Sequence, residues 1–342
     1  MKNYITDRCF IIAELSANHG GSLDIAKKTV RAAKRAGADA IKLQTYTADT
    51  MTLNVESEDF MIKQGTAWDG QYLYDLYKEA SLPWEWHKDL FDLAKEEGLV
   101  CFSSPFDKTA VDFLEALNTP IYKVASFEIT DIPLITYMAS KQKPMIISTG
   151  IAAMEDIELA VEACKAVGNN DITILKCTSA YPAAPEDANL LTIEDIAQRF
   201  GVNSGLSDHT MGIEAPMIAV ALGAKMIEKH FILDKSIGGA DAHFSLDEQE
   251  FKQMVDAVRL TEKLMGQVDY EMTDKKKKSR EFSRSLYVVQ DVIAGDKITE
   301  LNVRSVRPGF GLHPKYYEEV LGKPFSINLD RGTPLTLQHI IG

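Results

Sequence analysis

A short apolar run, a polar turn and an amphipathic segment recur as a unit along the first 266 residues of this chain. The amphipathic segments carry apolar residues at helical spacing, and several end at a glycine, a residue that commonly terminates helices. Eight apolar runs are candidate strands, at residues 10–15, 40–46, 100–105, 121–126, 145–150, 172–179, 202–209 and 226–231. Eight strands alternating with helices favour a (β/α)₈ barrel over an open doubly wound sheet, which usually has fewer strands.

The turn after the first candidate strand lacks the glycine fingerprints of nucleotide-binding open sheets. Neither GxGxxG nor GxxxxGK[ST] follows that strand. This strengthens the prediction of a barrel.

The sequence changes character after Gly266, where a polar segment with four consecutive lysines begins. Short strand-like pieces separated by Gly and Asp turns follow it. We therefore predict a catalytic barrel over residues 1–266, a solvated linker over 267–284 and a small β-rich domain over 285–342. So small a domain buries a limited core, and we expect it to pack on a barrel, either its own or a neighbour's.

Charge and cysteine content narrow the class of partner. The net charge of −13 and the pI near 5.1 argue against nucleic acid or an anionic membrane as a partner, because both attract cationic surfaces. Four widely spaced cysteines without a CxxC pair suit a reducing compartment.

The N-terminal apolar run is too short for a signal sequence, and no run approaches the roughly 18 apolar residues of a membrane span. We expect a cytoplasmic protein.

Polar residues stand near the ends of the candidate strands, and the carboxyl ends of all strands meet on one face of such a barrel. Lys42 and Gln44 lie two residues apart on one strand and so share a face. A charge inside a barrel is costly unless it is paired or used. Lys42 and Lys123, together with Arg307 in the second domain, predict a site for a doubly anionic ligand. For Glu14 alone, a structural ion pair remains an alternative. Further polar residues near strand ends are Ser103, Ser104, Ser126, Glu128, Ser148, Thr149, Thr178, Ser179, Tyr181, Asp208 and Glu228.

His209 and His230 end two neighbouring candidate strands. Adjacent strands lie about 4.8 Å apart and a histidine nitrogen binds a metal at about 2.1 Å, so the two rings could share one divalent ion. Two nitrogen ligands leave positions open for water or substrate, which suits Mn²⁺ or Mg²⁺ as well as Zn²⁺. Two unrelated polar histidines remain the alternative at this point.

The connection after the second strand, residues 47–81, is long and rich in Tyr, Trp, Asp and Gly. Long loops inside compact domains are often lids or binding loops. We expect this segment to select the substrate, with a decorative insertion as the alternative.

Nine motifs in order resemble the bacterial sialic acid synthase family: AELSANHGG, IKLQTY, FSSPFD, YKVASFE, IISTG, LKCTSAYP, GLSDHT, IEKHF and RPGFG. The resemblance implies a (β/α)₈ barrel followed by a small SAF (antifreeze-like) domain. Within the family, GTAWDGQYLYDLYKEASLPWEWH is most similar to pseudaminic acid synthases. It implies metal-dependent condensation of phosphoenolpyruvate with 2,4-diacetamido-2,4,6-trideoxy-altrose, giving a nonulosonic acid and phosphate by C–O cleavage.

The resemblance also implies roles for individual residues. His209 and His230 would bind the metal, Mn²⁺ or Mg²⁺ with Co²⁺ as a further candidate. Phosphoenolpyruvate would be held by Lys42, Lys123, Ser104, Ser126 and Ser148. The sugar and the reaction centre would face Glu14, Gln44, Ser179, Tyr181 and Asp241, and Glu128 is a further substrate-binding candidate. Phe282 and Arg307 would come from the partner subunit of a domain-swapped homodimer. The predicted catalytic residues are Glu14, Lys42, Lys123, Tyr181 and Asp241.

Two positions depart from some relatives. Ser104 stands where some carry threonine, which also supplies a hydroxyl, and Ser179 stands where others carry asparagine. Three alternatives stay open: a class I aldolase with Lys42 or Lys123 as a Schiff-base lysine, a synthase for legionaminic or N-acetylneuraminic acid, and a non-catalytic sugar- or ice-binding protein.

Overall fold

The computed structural model describes residues 1, 4, 6–63 and 68–342 of the chain. Two compact units are present, Met1–Gly266 and Gln267–Gly342. All four cysteines fall within the described residues, and each is a buried free thiol. Within the same ranges no helix has the length and apolar character needed to cross a membrane.

Across the described residues of the first unit, eight parallel strands close into a barrel in sequence order, with β1 pairing to both β2 and β8. The strands are β1 Phe10–Glu14, β2 Ala40–Thr45, β3 Val100–Pro105, β4 Tyr122–Val124, β5 Met145–Ser148, β6 Ile172–Cys177, β7 Asn203–Asp208 and β8 Met226–His230. The predicted (β/α)₈ barrel is confirmed. Most strands are shorter than predicted because their final residues have already left the ladder to form the loops of the barrel mouth.

Helices follow the strands on the outside of the barrel. They are α1 Leu23–Ala36, α2 Ala48–Met51, α3 Leu73–Ala80, α4 Trp84–Glu96, α5 Lys108–Ala116, α6 Ile132–Ser140, α7 Met154–Ala166, α8 Thr192–Phe200, α9 Glu214–Ala221 and α10 Glu248–Met265. Local sequence sets several ends. Ser22 caps the start of α1 by accepting from Ile25 N, and Gly37 ends it in the left-handed conformation at φ 93°.

The side chains inside the barrel form an apolar lower layer and, two residues further along the strands, a polar upper layer. A buried apolar cluster fills the lower layer, formed by Phe10, Ile12, Ala40, Phe102, Ile121, Ile146, Leu175 and Met226 with Met1. Side chains two residues further along a strand point to the same side. Those next positions are Glu14, Lys42, Ser104, Lys123, Ser148, Cys177 and Glu228. The lower layer stabilises the fold, and the layer above it carries the chemistry.

The segment after β2 is partly helical rather than a continuous loop. It contains α2, a 3₁₀ turn at Glu58–Phe60 and α3, and Met61 forms an isolated bridge with Tyr72. Residues 64–67 lie outside the described residues, and they include the first three residues of the GTAWDG stretch.

The second unit holds a helix α11 at Asp274–Arg280, a strand β9 at Ser285–Val288, a strand β10 at Val303–Val306 and a helix α12 at Tyr317–Val320. β9 and β10 pair antiparallel over a buried core that includes Leu286, Phe325 and Leu335. The segment predicted as a solvated linker contains α11, whose lysines are exposed. A negative first turn and a basic last turn favour this helix through its dipole.

The last strand-like piece, GTPLTLQHII, forms two isolated bridges, Pro334 with Tyr287 and Ile340 with Phe325, and a 3₁₀ turn at Leu337–His339 instead of a strand. Proline has no N–H for a ladder, which opposes a strand at that point.

Candidate active site

Four buried charged residues, one each on β1, β2, β4 and β8, meet inside the barrel in the layer above its apolar core. Lys42 Nζ is 2.7 Å from Glu14 Oε2 and 3.6 Å from Glu228 Oε1, and Lys123 Nζ is 3.9 Å from the same Glu228 oxygen. We call Glu14, Lys42, Lys123 and Glu228 the charge tetrad. The two ammonium groups and the two carboxylates compensate one another's charge, which lowers the free-energy cost of burying them in the barrel.

Burial shifts the protonation equilibria of the tetrad. It is the main cause that raises the pKa of Glu14 to about 7, against the opposing charge of Lys42. Burial also lowers the pKa of Lys123. For Lys42, burial opposes the charged form, but Glu14 and Glu228 raise its pKa overall. Burial likewise opposes ionisation of Glu228, but Lys123 and Lys42 hold its pKa below the ordinary value. Glu14 is therefore the member of the tetrad best placed to exchange a proton near neutral pH.

Serine hydroxyls surround the two lysines. Lys123 Nζ donates to Ser148 Oγ at 2.7 Å and to Val124 O at 2.9 Å. Lys42 Nζ donates to Ser104 Oγ at 3.4 Å. The mouth thus gathers ammonium and hydroxyl donors, the groups that bind phosphate and carboxylate oxygens.

Gly150 lets two further serines come close. Gly150 N donates to Ser126 Oγ at 3.1 Å. A Cβ on Gly150 would collide with Ser179 Oγ and would lie 2.7 Å from Ser126 Oγ. Any side chain at this position would therefore force Ser179 and Ser126 to shift, where the loop after β5 meets the loops after β4 and β6.

Gln44 orients the carboxyl group of Glu14. Its Nε2 donates to Glu14 Oε1 at 3.0 Å and to Ser16 Oγ at 3.0 Å. One carboxyl oxygen therefore faces Lys42 and the other faces an amide donor.

His209 and His230 stand side by side, with ring centroids 5.2 Å apart. His209 Nδ1 lies 3.0 Å from Thr178 O, and His230 Nδ1 lies 3.6 Å from Asp241 Oδ2. Burial, with His209 and Lys42, holds the pKa of His230 well below its ordinary value. This favours the neutral imidazole, the form that binds metals. Tyr181 packs on His209 at 4.4 Å between centroids.

The histidine pair fits a divalent ion. His209 commits Nδ1 to a carbonyl, which leaves Nε2 open, while His230 Nδ1 is buried without a hydrogen-bond partner. Asp241 adds a nearby carboxylate. Residues 1, 4, 6–63 and 68–342 contain no cluster of three or more His, Cys, Asp or Glu side chains arranged to hold an ion. An ion held here would therefore keep positions for water or substrate.

The remaining predicted residues fall into two groups. Glu128 lies in the 3₁₀ turn Ser126–Glu128 beside the mouth, where burial raises its pKa to about 7. Phe282 and Arg307 lie in the second unit, where both are exposed. Their approach to a barrel mouth stays a prediction.

Asp208 and Ser103 do not join the other polar residues of the mouth. Asp208 alternates with Ser207 and His209, so it points away from the lumen, and it pairs with Lys229. Ser103 alternates in the same way with Phe102 and Ser104, and its Oγ lies 2.6 Å from Thr45 Oγ1. Ser207, to which we gave no role, faces inward and donates to Glu228 Oε1 at 3.1 Å. Its position two residues before His209 is the signal that could have identified it.

A separate groove of 610 Å³ lies at the opposite end of β6 and β7. Asn169, Asp171 and Asn203 are among its lining residues, and it contains none of the candidate site residues. The chemistry of the charge tetrad and the histidines, rather than the size of a cavity, identifies the candidate active site.

Comparison with known proteins follows the same division of the chain. The NeuB family profile matches residues 29–270, and the SAF domain profile matches residues 283–341. The chain is 52% identical over 334 residues to the pseudaminic acid synthase of Campylobacter jejuni subsp. jejuni serotype O:23/36 (strain 81-176), covering 97% of each. It is 37% identical over 337 residues to the N,N'-diacetyllegionaminic acid synthase of Legionella pneumophila, covering 97% of this chain and 94% of the relative.

A solved structure is similar as well. It is the N-acetylneuraminic acid (sialic acid) synthetase of Leptospira borgpetersenii serovar Hardjo-bovis in complex with citrate, with a TM-score of 0.71 and 30% identity. The similarity covers 80% of this chain and 90% of that one. The chain therefore belongs to the NeuB family, the sialic acid synthase family that its motifs resemble, and carries a C-terminal SAF domain.

Proposed function

We propose that this chain is a pseudaminic acid synthase, which condenses phosphoenolpyruvate with open-chain 2,4-diacetamido-2,4,6-trideoxy-altrose. The observation that carries the reaction is the pair of buried lysines, Lys42 and Lys123, beside His209 and His230 in one barrel mouth. The choice of sugar is supported by identity, which is 52% to a pseudaminic acid synthase and 37% to a legionaminic acid synthase.

The lysines would receive the two anionic groups of phosphoenolpyruvate. Lys123 with Ser148 and Lys42 with Ser104 form two donor pairs, and Ser126 adds a third hydroxyl. Lys42 and Lys123 already face carboxylates of the charge tetrad. Binding therefore exchanges one set of anionic partners for another and creates no uncompensated charge at the lysines.

The reaction joins the methylene carbon of phosphoenolpyruvate to the aldehyde carbon of the sugar. Water then adds to C2, and the C2–O bond to phosphate breaks, so the phosphate leaves with its bridging oxygen. Lysine ammonium groups stabilise the charge on the departing phosphate. Glu14, whose pKa burial raises to about 7, is our candidate to take the proton from that water. Gln44 holds its carboxyl in place, and Ser179, Tyr181 and Asp241 would face the sugar.

His209 and His230 would hold the divalent ion, Mn²⁺ or Mg²⁺ or alternatively Co²⁺, with Asp241 beside them. When bound, such an ion supplies Lewis-acid polarisation of the aldehyde oxygen. Thr178 O keeps the His209 ring oriented. We expect EDTA to abolish turnover and Mn²⁺ or Mg²⁺ to restore it, and full activity in chelator would contradict this part of the proposal.

We extend the proposal to a domain-swapped homodimer. The end of α10 leaves Leu264 76% exposed, and in the second unit Val268 is 88% and Tyr270 92% exposed. Exposed apolar residues at this density are typical of surfaces that a partner covers. In such a dimer Arg307 and Phe282 of one chain would complete the barrel mouth of the other.

A phosphate-release assay tests reaction and substrate together. Phosphoenolpyruvate is offered with a panel of 2-acetamido and 2,4-diacetamido sugars, and we expect the diacetamido trideoxy-altrose to react fastest. Phosphoenolpyruvate labelled with ¹⁸O at the bridging position should pass the label to phosphate, because the C–O bond breaks. A faster reaction with a gluco- or manno-configured sugar would reassign the substrate and leave the reaction class intact.

One observation favours a second candidate, the class I aldolase. Burial lowers the pKa of Lys123, as a Schiff-base lysine requires. Trapping with pyruvate and borohydride discriminates between the two candidate functions. Irreversible inactivation with a modified lysine supports the aldolase, and unaffected activity supports the synthase.

A further inference from the structure

Asp208 and Lys229 form a buried ion pair on the outer side of the barrel wall, behind the two histidines. Lys229 Nζ lies 2.5 Å from Asp208 Oδ2, and each side chain is 1% exposed. The two residues immediately precede His209 and His230, and their Cα atoms are partners in the β7–β8 ladder. The pair therefore links β7 to β8 directly before the two histidines in the chain.

The same pair also fixes the residue that follows His209. Asp208 Oδ1 accepts from Thr210 N at 2.9 Å and from Thr210 Oγ1 at 2.8 Å. Lys229 Nζ donates to Thr210 O at 2.6 Å. The backbone N–H and C=O of Thr210 both have partners within the pair, so His209 is held by the β7 ladder on one side and by the ion pair on the other.

Packing of the barrel wall does not require charges at this level. The preceding outward positions on the same strands are Leu206 and Ile227, and both belong to the apolar core between barrel and helices. A buried ion pair is often no more stabilising than apolar residues of similar volume, because both charges lose their hydration. What the pair adds is a fixed geometry at the ends of two strands.

We propose that Asp208 and Lys229 are positioning residues that set the separation and orientation of His209 and His230 for a divalent ion. This inference rests on the proposed function, in which the two histidines bind that ion. Both side chains of the pair face away from the lumen, so they act through the histidines and not on the substrate. Residues that orient metal ligands from behind typically change metal affinity about 10- to 100-fold when they are replaced.

The test compares Mn²⁺ binding among matched variants. In the double variant Asp208→Asn/Lys229→Met, the asparagine oxygen can still accept from Thr210, and no lone buried charge remains to unfold the barrel. Arg259→Met is the control. It breaks another partly buried ion pair, Arg259 to Asp39 at 2.9 Å, which lies at the opposite end of the barrel just before β2. Mn²⁺ affinity is measured by titration calorimetry, and thermal unfolding is measured without metal.

We expect the double variant to bind Mn²⁺ about tenfold more weakly than the wild type, or weaker still. Arg259→Met should bind normally despite losing thermal stability. Thr210→Val, which keeps both charges and removes one hydrogen bond, is a milder second variant, with an expected loss of about threefold.

Unchanged affinity in both the double variant and Thr210→Val, with binding that His209→Ala abolishes, would overturn this inference and leave the metal site standing. Binding that survives His209→Ala would overturn the proposed metal site, and this inference with it.

Discussion

Lys123 Nζ donates a 2.7 Å hydrogen bond to Ser148 Oγ across the β4–β5 ladder. The ammonium group makes a second bond to Val124 O at 2.9 Å, while Glu228 Oε1 stays 3.9 Å away. Its two hydrogen bonds are thus to neutral partners, and Glu228 is a more distant ionic partner. That arrangement leaves the positive charge available to an incoming anion.

Removal of the Ser148 hydroxyl should weaken binding of phosphoenolpyruvate. A hydrogen bond to a charged group contributes about 1.5–3 kcal/mol, so we expect Ser148→Ala to raise KM for phosphoenolpyruvate about tenfold or more. Thr149→Val is the control, because that neighbouring hydroxyl donates to Leu175 O and not to a lysine. Steady-state kinetics measure both variants, and an unchanged KM in Ser148→Ala would count against the assigned role.

Replacement of Lys42 should make stability strongly dependent on pH. Lys42→Met leaves Glu14 and Glu228 with Lys123 as the remaining cation of the tetrad, and breaking a buried pair costs about 3–5 kcal/mol. Burial already raises the pKa of Glu14, and loss of Lys42 raises it further. The destabilisation should therefore be largest at alkaline pH, where Glu14 of the variant is forced to ionise, and should shrink as the pH falls toward 7 and Glu14 takes up a proton.

Urea unfolding at pH 8 and pH 5.5 measures this change. Lys27→Met, which removes an exposed pair with Asp89, is the matched control and should cost at most about 1 kcal/mol at either pH. An equal loss of stability in Lys42→Met at both pH values would refute the assignment of a raised pKa to Glu14.

A methyl group at Gly150 should disturb the hydroxyl cluster. The Cβ of Gly150→Ala would collide with Ser179 Oγ, and overpacking of this kind costs about 1–3 kcal/mol. We expect reduced thermal stability and a kcat/KM at least about tenfold lower. Adding Ser179→Ala should recover part of the stability. No recovery in the double variant would mean that Ser126, 2.7 Å from the same Cβ position, is the main obstacle.

His87 should make the barrel sensitive to acid. It is fully buried, with Nε2 2.8 Å from Thr45 Oγ1, and burial lowers its pKa from 6.5 to about 4. A depressed histidine pKa stabilises the fold above pH 6.5, and this contribution is lost as pH falls toward the folded-state value. We expect this group to remove about 2 kcal/mol of unfolding free energy between pH 7 and 5.

Urea unfolding of His87→Gln at the two pH values checks this expectation. The variant should lose less stability on acidification than the wild type, whereas His313→Gln, at an exposed position of the second unit, should behave as the wild type does. Identical pH dependence in all three proteins would rule out His87 as the titrating group.

Mixed dimers test whether two chains share a site. His209→Ala and Arg307→Ala should each be nearly inactive alone, while refolding them together should restore about a quarter of wild-type turnover, because half of the dimers then hold one complete site. Each variant refolded with itself is the control. Failure of the mixture to gain activity would contradict a site completed by the partner subunit.

The sequence predicted the barrel and its inward-facing polar residues because a strand has a period of two. Once Phe10 and Ile12 are read as core, Glu14 must share their side of the strand, and the same logic places Lys42 and Lys123. The same alternation places Asp208 on the outer side of the strand. Treating all polar residues near strand ends as one group assigned it wrongly to the mouth.

Other features could not be predicted from local sequence patterns. The lysine-rich segment gave no apolar periodicity from which to predict α11, because an exposed helix has no buried face. The ion pair between Asp208 and Lys229 depends on the register of β7 against β8, which is a property of the closed barrel. Lys229 next to His230 is unremarkable in sequence until that register is known.

The neutral total charge of the tetrad has a consequence for selectivity among anions. A simple monoanion that approaches Lys42 must draw it away from Glu14, and it offers a single charge in return. A ligand that presents phosphate and carboxylate together would contact Lys42 and Lys123 at once and so compensate both lysines. We therefore expect Glu14 and Glu228 to disfavour simple inorganic anions, and the barrel mouth to select ligands by the number and spacing of their negative charges.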